Sequence, residues 1–108
     1  MDRLADVMKR LEATIAARKG ADPSTSYTAK LLSEGPARAA KKLGEEAAET
    51  IIAAAQNDPD ALAAESADLI YHWLVLLAAS GVSTDAVAER LEAREGKSGL
   101  EEKASRKP

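Results

Sequence analysis

Two groups of acidic residues carry the chemistry this chain is equipped for. Glu45, Glu46 and Glu49 stand in K-K-L-G-E-E-A-A-E-T, and Glu65 and Asp68 stand in A-E-S-A-D-L-I-Y-H. Five carboxylates brought together repel one another and resist burial. A hard divalent cation relieves that repulsion, and oxygen-only ligands suit Mg²⁺, or Mn²⁺ in its place, rather than zinc. Mg²⁺ keeps part of its water shell and binds substrate phosphates as well as protein carboxylates, so the chemistry indicated is hydrolysis of a polyphosphate. The expected metal ligands are Glu46, Glu49, Glu65 and Asp68. A carboxylate not fully used by metal, Glu45 or Glu46, is the expected general base.

The elements that must position these acids are helices. Residues three and four apart share a helix face, which groups Glu45 and Glu46 with Glu49, and Glu65 with Asp68. Gln56-Asn57-Asp58-Pro59 is a turn between the two segments, with Asp58 as N-cap and Pro59 in the first helical position. In an antiparallel hairpin folded about that turn, Glu49 falls opposite Ser66, Glu46 opposite Leu69, and Asp68 opposite Ala47. All five acids then lie on neighbouring helical turns, roughly 12 Å or more from the turn. An E-E-x-x-E on an alanine-rich helix is, taken alone, most often a solvated face. The second group changes that balance, because it leads into Leu69-Ile70-Tyr71-His72-Trp73-Leu74-Val75-Leu76-Leu77, which is apolar nearly all round and reads as a buried helix.

At 108 residues, with 45% hydrophobic residues and no Phe, the chain reads as one all-α antiparallel bundle of four to five helices. No stretch alternates with period two for long enough to be a strand. The expected division is a helical bundle over 1–95 and a polar C-terminal tail over 96–108. Helix one spans about Asp2 to Arg18, with Leu4, Val7, Met8, Leu11 and Ile15 as its core stripe. Ser26 caps a short second helix on which Leu31 and Leu32 face the core. Helix three opens at Pro36 and carries Arg38, Lys41 and Lys42 just before the acids. Helix four ends at Ser80 with Gly81 as C-cap, and Ser83 caps helix five, where Val87 and Leu91 pack inward. Gly44 either permits a close approach or is simply tolerated. Without cysteine there is neither a disulfide framework nor a thiolate metal site. The charged N-terminus lacks a signal-like apolar region, and the run Leu69–Ala79 is too short to span a bilayer, so a cytoplasmic protein without a membrane partner is expected. A net charge of −3 gives no reason to expect nucleic acid. Long apolar helices in so short a chain leave more apolar surface than one small bundle buries, so a homodimer is expected.

The motif E-E-x-x-E followed by E-x-x-D resembles the all-α, MazG-like NTP pyrophosphatases. The flanking text, Ser26-Tyr27-Thr28-Ala29-Lys30-Leu31-Leu32, Lys42-Leu43-Gly44-Glu45-Glu46, Asp68-Leu69-Ile70-Tyr71-His72 and the tail from Ser98 to Arg106, resembles the phosphoribosyl-ATP pyrophosphatases. The resemblance implies Mg²⁺-dependent cleavage of the α–β phosphate link of phosphoribosyl-ATP, the second step of histidine biosynthesis. It also implies a dimer whose sites can draw on both subunits. It makes Ser26, Thr28 and Lys30 substrate contacts, beside the basic Lys42 and the neighbouring His72. Lys103 and Arg106, with Lys97, would reach phosphates if the tail folds over the site. Two other readings stay open: a house-cleaning (d)NTP pyrophosphatase using the same carboxylates, and a non-enzymatic helical interaction module whose acids are merely solvated.

Overall fold

The computed structural model describes residues 2–97 and 99–106; Ser98, Lys107 and Pro108 of the expected tail lie outside the described residues. Among these, six helices follow in order: α1 (Arg3–Ala17), α2 (Tyr27–Glu34), α3 (Pro36–Ala55), α4 (Pro59–Ser80), α5 (Thr84–Glu92) and α6 (Gly99–Ser105). There is no strand among the described residues. The architecture is an all-α bundle built on the long α3–α4 hairpin, against which α1 and α2 pack.

The helix starts follow local chemistry. The side chains of Asp2, Ser26, Asp58 and Ser83 each accept a backbone N–H in the first turn of the helix they precede, filling donors a helix start leaves unpaired. Gly35 links α2 to α3 at φ 91°, in the left-handed half of conformational space that a side chain disfavours, and Pro36 opens α3. The hairpin turn rests on Asn57 at φ 54°, a value asparagine tolerates better than most residues. At the far end of α4, Gly81 is left-handed, and the N–H groups of Gly81 and Val82 close on the carbonyls of Ala78 and Leu77.

The core lies where α1, α2 and α3 meet the second half of α4. It consists of Ile15, Leu31, Ala39, Leu74 and Val75, with Leu11, Leu32, Ile70, Tyr71 and Trp73 packed around it. By length and composition α4 is apolar enough to cross a membrane. Here it is the central packed helix of the bundle and carries Glu65, Asp68 and the buried His72.

Several expected core positions are not covered. Leu4 and Val7 on α1 are exposed, and Leu91 on α5 is 58% exposed rather than packed inward. The cause is geometric: α5 is not among the main packing partners of any helix, and the first turns of α1 run past the core. Ile51 and Ile52, near the hairpin turn, are also exposed. The Cα radius of gyration is 15.9 Å, against about 13 Å for a compact chain of this length. Gly44 has open space around the place a Cβ would take, so no close approach within the chain requires it. The α6 helix lies within the tail that composition alone reads as irregular.

Candidate active site

The hairpin forms in the expected register. Thr50 on α3 meets Glu65 on α4 through a side-chain contact, a pairing of the same register that sets Glu49 opposite Ser66 and Glu46 opposite Leu69. Three of the acids come together: one carboxylate oxygen each from Glu46, Glu49 and Glu65 lie within 4.8 Å of one another. Glu46 and Glu65 are half-buried and Glu49 is exposed. Asp68 is exposed and stands outside this trio, yet near enough that its charge helps raise the pKa of both Glu46 and Glu65.

The trio is electrostatically uncomfortable. Burial, then the hydrogen bond and negative charge of Glu49, pushes the Glu46 carboxyl above the ordinary range, with His72 opposing. Glu65 is also raised, first by its hydrogen bond to Glu49 and then by burial. Moreover, Oε2 of Glu46 and Oε2 of Glu65 are buried with no hydrogen-bond partner. Buried carboxylate oxygens normally have partners, so two orphans in one cluster of acids leave oxygens that could hold a cation. The donor set, all oxygen, fits Mg²⁺ or Mn²⁺.

The two candidate bases are separated by the fold. Glu45 accepts a 3.0 Å bond from Lys42 Nζ, which holds its carboxyl below the ordinary range, and it is not part of the trio. Lys42 is raised in turn, first by Glu45 and then by the nearby Tyr27. Arg38 pairs at 3.8 Å with Glu34.

The remaining expected residues divide likewise. Ser26 Oγ accepts from the Ala29 N–H as helix cap. The Thr28 hydroxyl pairs with the Tyr71 hydroxyl, and burial pushes the Tyr71 phenol up. Lys30 is exposed, as are Lys103 and Arg106. His72 is buried on α4, with Nδ1 2.8 Å from the Asp68 carbonyl. An N–H donated there leaves Nε2 as the acceptor facing the Tyr27 hydroxyl at 3.4 Å. Tyr71 and Tyr27 both meet the imidazole edge-on.

Three residues of this region escape a reading based on charge. Tyr27 and Tyr71 join α2 to α4 around His72, and Thr50 lies in the seam between the acid-bearing helices. The signal for Thr50 was its place opposite Glu65 in the hairpin register, a hydroxyl among alanines. For the tyrosines there was only their position beside residues already singled out.

An all-α bundle whose central hairpin carries E-E-x-x-E and E-x-x-D belongs to the class of the MazG-like NTP pyrophosphatases. Within that class the match is specific. The family model described as phosphoribosyl-ATP pyrophosphohydrolase matches residues 8–95. A protein named phosphoribosyl-ATP pyrophosphatase from Caulobacter vibrioides is 75% identical over 104 residues, which are 96% of each chain. Proteins of the same name from Caulobacter sp. strain K31 and Methylobacterium radiotolerans are 69% and 61% identical. They cover 98% and 91% of this chain, and 98% and 92% of their own. The chain belongs to the phosphoribosyl-ATP pyrophosphohydrolase family.

Proposed function

We propose that this enzyme hydrolyses the α–β phosphate link of phosphoribosyl-ATP to phosphoribosyl-AMP and pyrophosphate, the second step of histidine biosynthesis, with Mg²⁺ held by Glu46, Glu49, Glu65 and Asp68. The observation that carries the metal reading is the pair of buried, unpartnered oxygens on Glu46 and Glu65. A bound divalent cation supplies charge neutralisation of the phosphate oxygens there. The chain's own residues do the rest. Glu46 lies in the trio, whereas Glu45 is held by Lys42, so Glu46 is better placed to take the proton of the attacking water. Lys42, now on Glu45, is placed to turn to a substrate phosphate. His72, Tyr27, Tyr71 and Thr28 tie α2 to α4 beside the acids and hold that wall of the site rigid.

Pyrophosphate release should be abolished by excess EDTA and restored by Mg²⁺ or Mn²⁺. On a panel of nucleotides, phosphoribosyl-ATP should be preferred over (d)NTPs. Activity that persists in EDTA sinks the metal reading, and equal or better turnover of (d)NTPs sinks the substrate assignment.

The distal ribose phosphate of this substrate needs its own cations, and Lys103 and Arg106 of the tail, with Ser26, Thr28 and Lys30, are the groups proposed for it. Deleting residues 97–108 should leave a folded protein and raise KM about tenfold. Unchanged kcat/KM would remove the tail from the site.

The working form proposed is a cytoplasmic homodimer. It is supported by the exposed Leu4, Val7, Ile51, Ile52 and Leu91, and by an open apolar hollow of about 380 Å³ lined by Leu43, Ala47, Leu69, Ile70 and Trp73. Light scattering across a dilution series should give twice the chain mass; a monomer at micromolar concentration rules the dimer out.

A further inference from the structure

The acid trio is assembled from two helices, so its geometry depends on how α3 and α4 slide and turn against each other. The seam beneath it is lined largely by alanine and leucine, which pack well but specify register weakly. Sliding one helix along the other by a single residue moves a carboxylate by about 1.5 Å and turns it to another face. Mg²⁺ demands near-ideal ligand placement and does not tolerate such an error. Beside the acids themselves, a threonine of α3 reaches the backbone of the facing helix across this seam. Thr50 Oγ1 lies 2.8 Å from the Glu46 carbonyl, one turn back on its own helix, and 3.2 Å from the Glu65 carbonyl on the facing helix. Both acceptors belong to residues that contribute carboxylates to the trio. The hydroxyl has one proton, which these two oxygens share.

A threonine hydroxyl bonding four residues back is a common local habit that needs no second helix. The approach to Glu65 is not local: it brings the two backbones to one fixed level, in the register that aligns the acids. We propose that Thr50 is a positioning residue for the metal site, fixing the backbones of Glu46 and Glu65 relative to each other so that their carboxylates and that of Glu49 converge. The inference rests on the metal reading above.

The test is Mn²⁺ binding, followed by electron paramagnetic resonance in the absence of substrate, with thermal unfolding measured alongside. Thr50→Val keeps the shape and removes the donor; Thr50→Ser keeps the donor. Thr84→Val serves as control, because it removes a hydroxyl that bridges α5 to Glu12 of α1, away from the trio. Thr50→Val should weaken Mn²⁺ binding about tenfold, the scale of lost outer-shell support for a metal ligand. Thr50→Ser should bind within about twofold of wild type, and Thr84→Val should lower the melting temperature with Mn²⁺ affinity unchanged. If Thr50→Val fails to fold, Thr50→Ala is read by the same criterion. Wild-type affinity in the Val or Ala variant overturns the inference, as does equal weakening in Thr50→Ser. A wild-type chain that binds no Mn²⁺ overturns the metal reading and this inference together.

Discussion

Among the described residues, two places hold carboxylates away from full solvent, and they are treated oppositely. Glu12, on α1, uses both oxygens: Oε1 accepts the Thr84 hydroxyl at 2.9 Å and Oε2 accepts the Thr84 N–H at 3.2 Å. It caps the start of α5 and ties that helix to α1. Glu46 and Glu65, on the central hairpin, each keep one buried oxygen with no partner and crowd against Glu49. A satisfied carboxylate stabilises the fold. An unsatisfied one costs folding free energy and persists where it has something else to bind. The partners of each acid, more than its burial, separate the structural from the chemical role.

The strongest way to break this comparison is to remove charge from the trio. Glu46→Gln and Glu65→Gln should each lower pyrophosphate release by about a hundredfold or more while leaving the helical circular-dichroism signal intact. Near-normal turnover at saturating Mg²⁺ would make that residue no more functional than Glu12. The converse change is Glu12→Ala, which should lower stability by about 1–2 kcal/mol through loss of the Thr84 bonds. Its specific activity at 25 °C should be unchanged; a loss of activity without a loss of stability would reverse the two roles.

The smallest effect expected is the pH dependence of the metal-free protein. The folded-state pKa values of Glu46 and Glu65 are raised above their unfolded values. Folding therefore favours their protonated forms, and this contribution to stability is fully present below the ordinary carboxylate range. It is lost as pH rises through the raised values. Glu45 and Asp22, held below that range by their hydrogen bonds, act in the opposite sense. Measured without metal, wild type should therefore gain melting temperature on mild acidification relative to the Glu46→Gln/Glu65→Gln double variant. Parallel curves for the two proteins would show that the trio is not strained.

What the sequence by itself determined is whatever depends on neighbours along the chain. Helical periodicity, the caps Ser26, Asp58 and Ser83, the Gly81 stop and the Asn57–Asp58 turn are all short-range effects, and the structure holds each of them. Once two helices and a turn are known, the approximate levels of the facing residues follow, so the meeting of Glu46, Glu49 and Glu65 was legible as well. The family, too, was legible, because it resides in the motifs themselves. Only the tertiary structure decided which acid faces which partner. Glu45 and Glu46 are adjacent in the chain and equally placed by spacing, yet a lysine one turn away claims the first and burial against α4 claims the second. Asp68 and Glu65 share a helix face, yet one is exposed and the other half-buried. Thr28, a substrate contact by resemblance, has its hydroxyl on Tyr71, and Thr50 bridges the seam. The exposure of Leu4 and Leu91 also belongs to the tertiary level, since periodicity shows which side of a helix is apolar and says nothing of what covers it. These outcomes turn on rotamers and on how the helices pack, set by residues far apart in the chain.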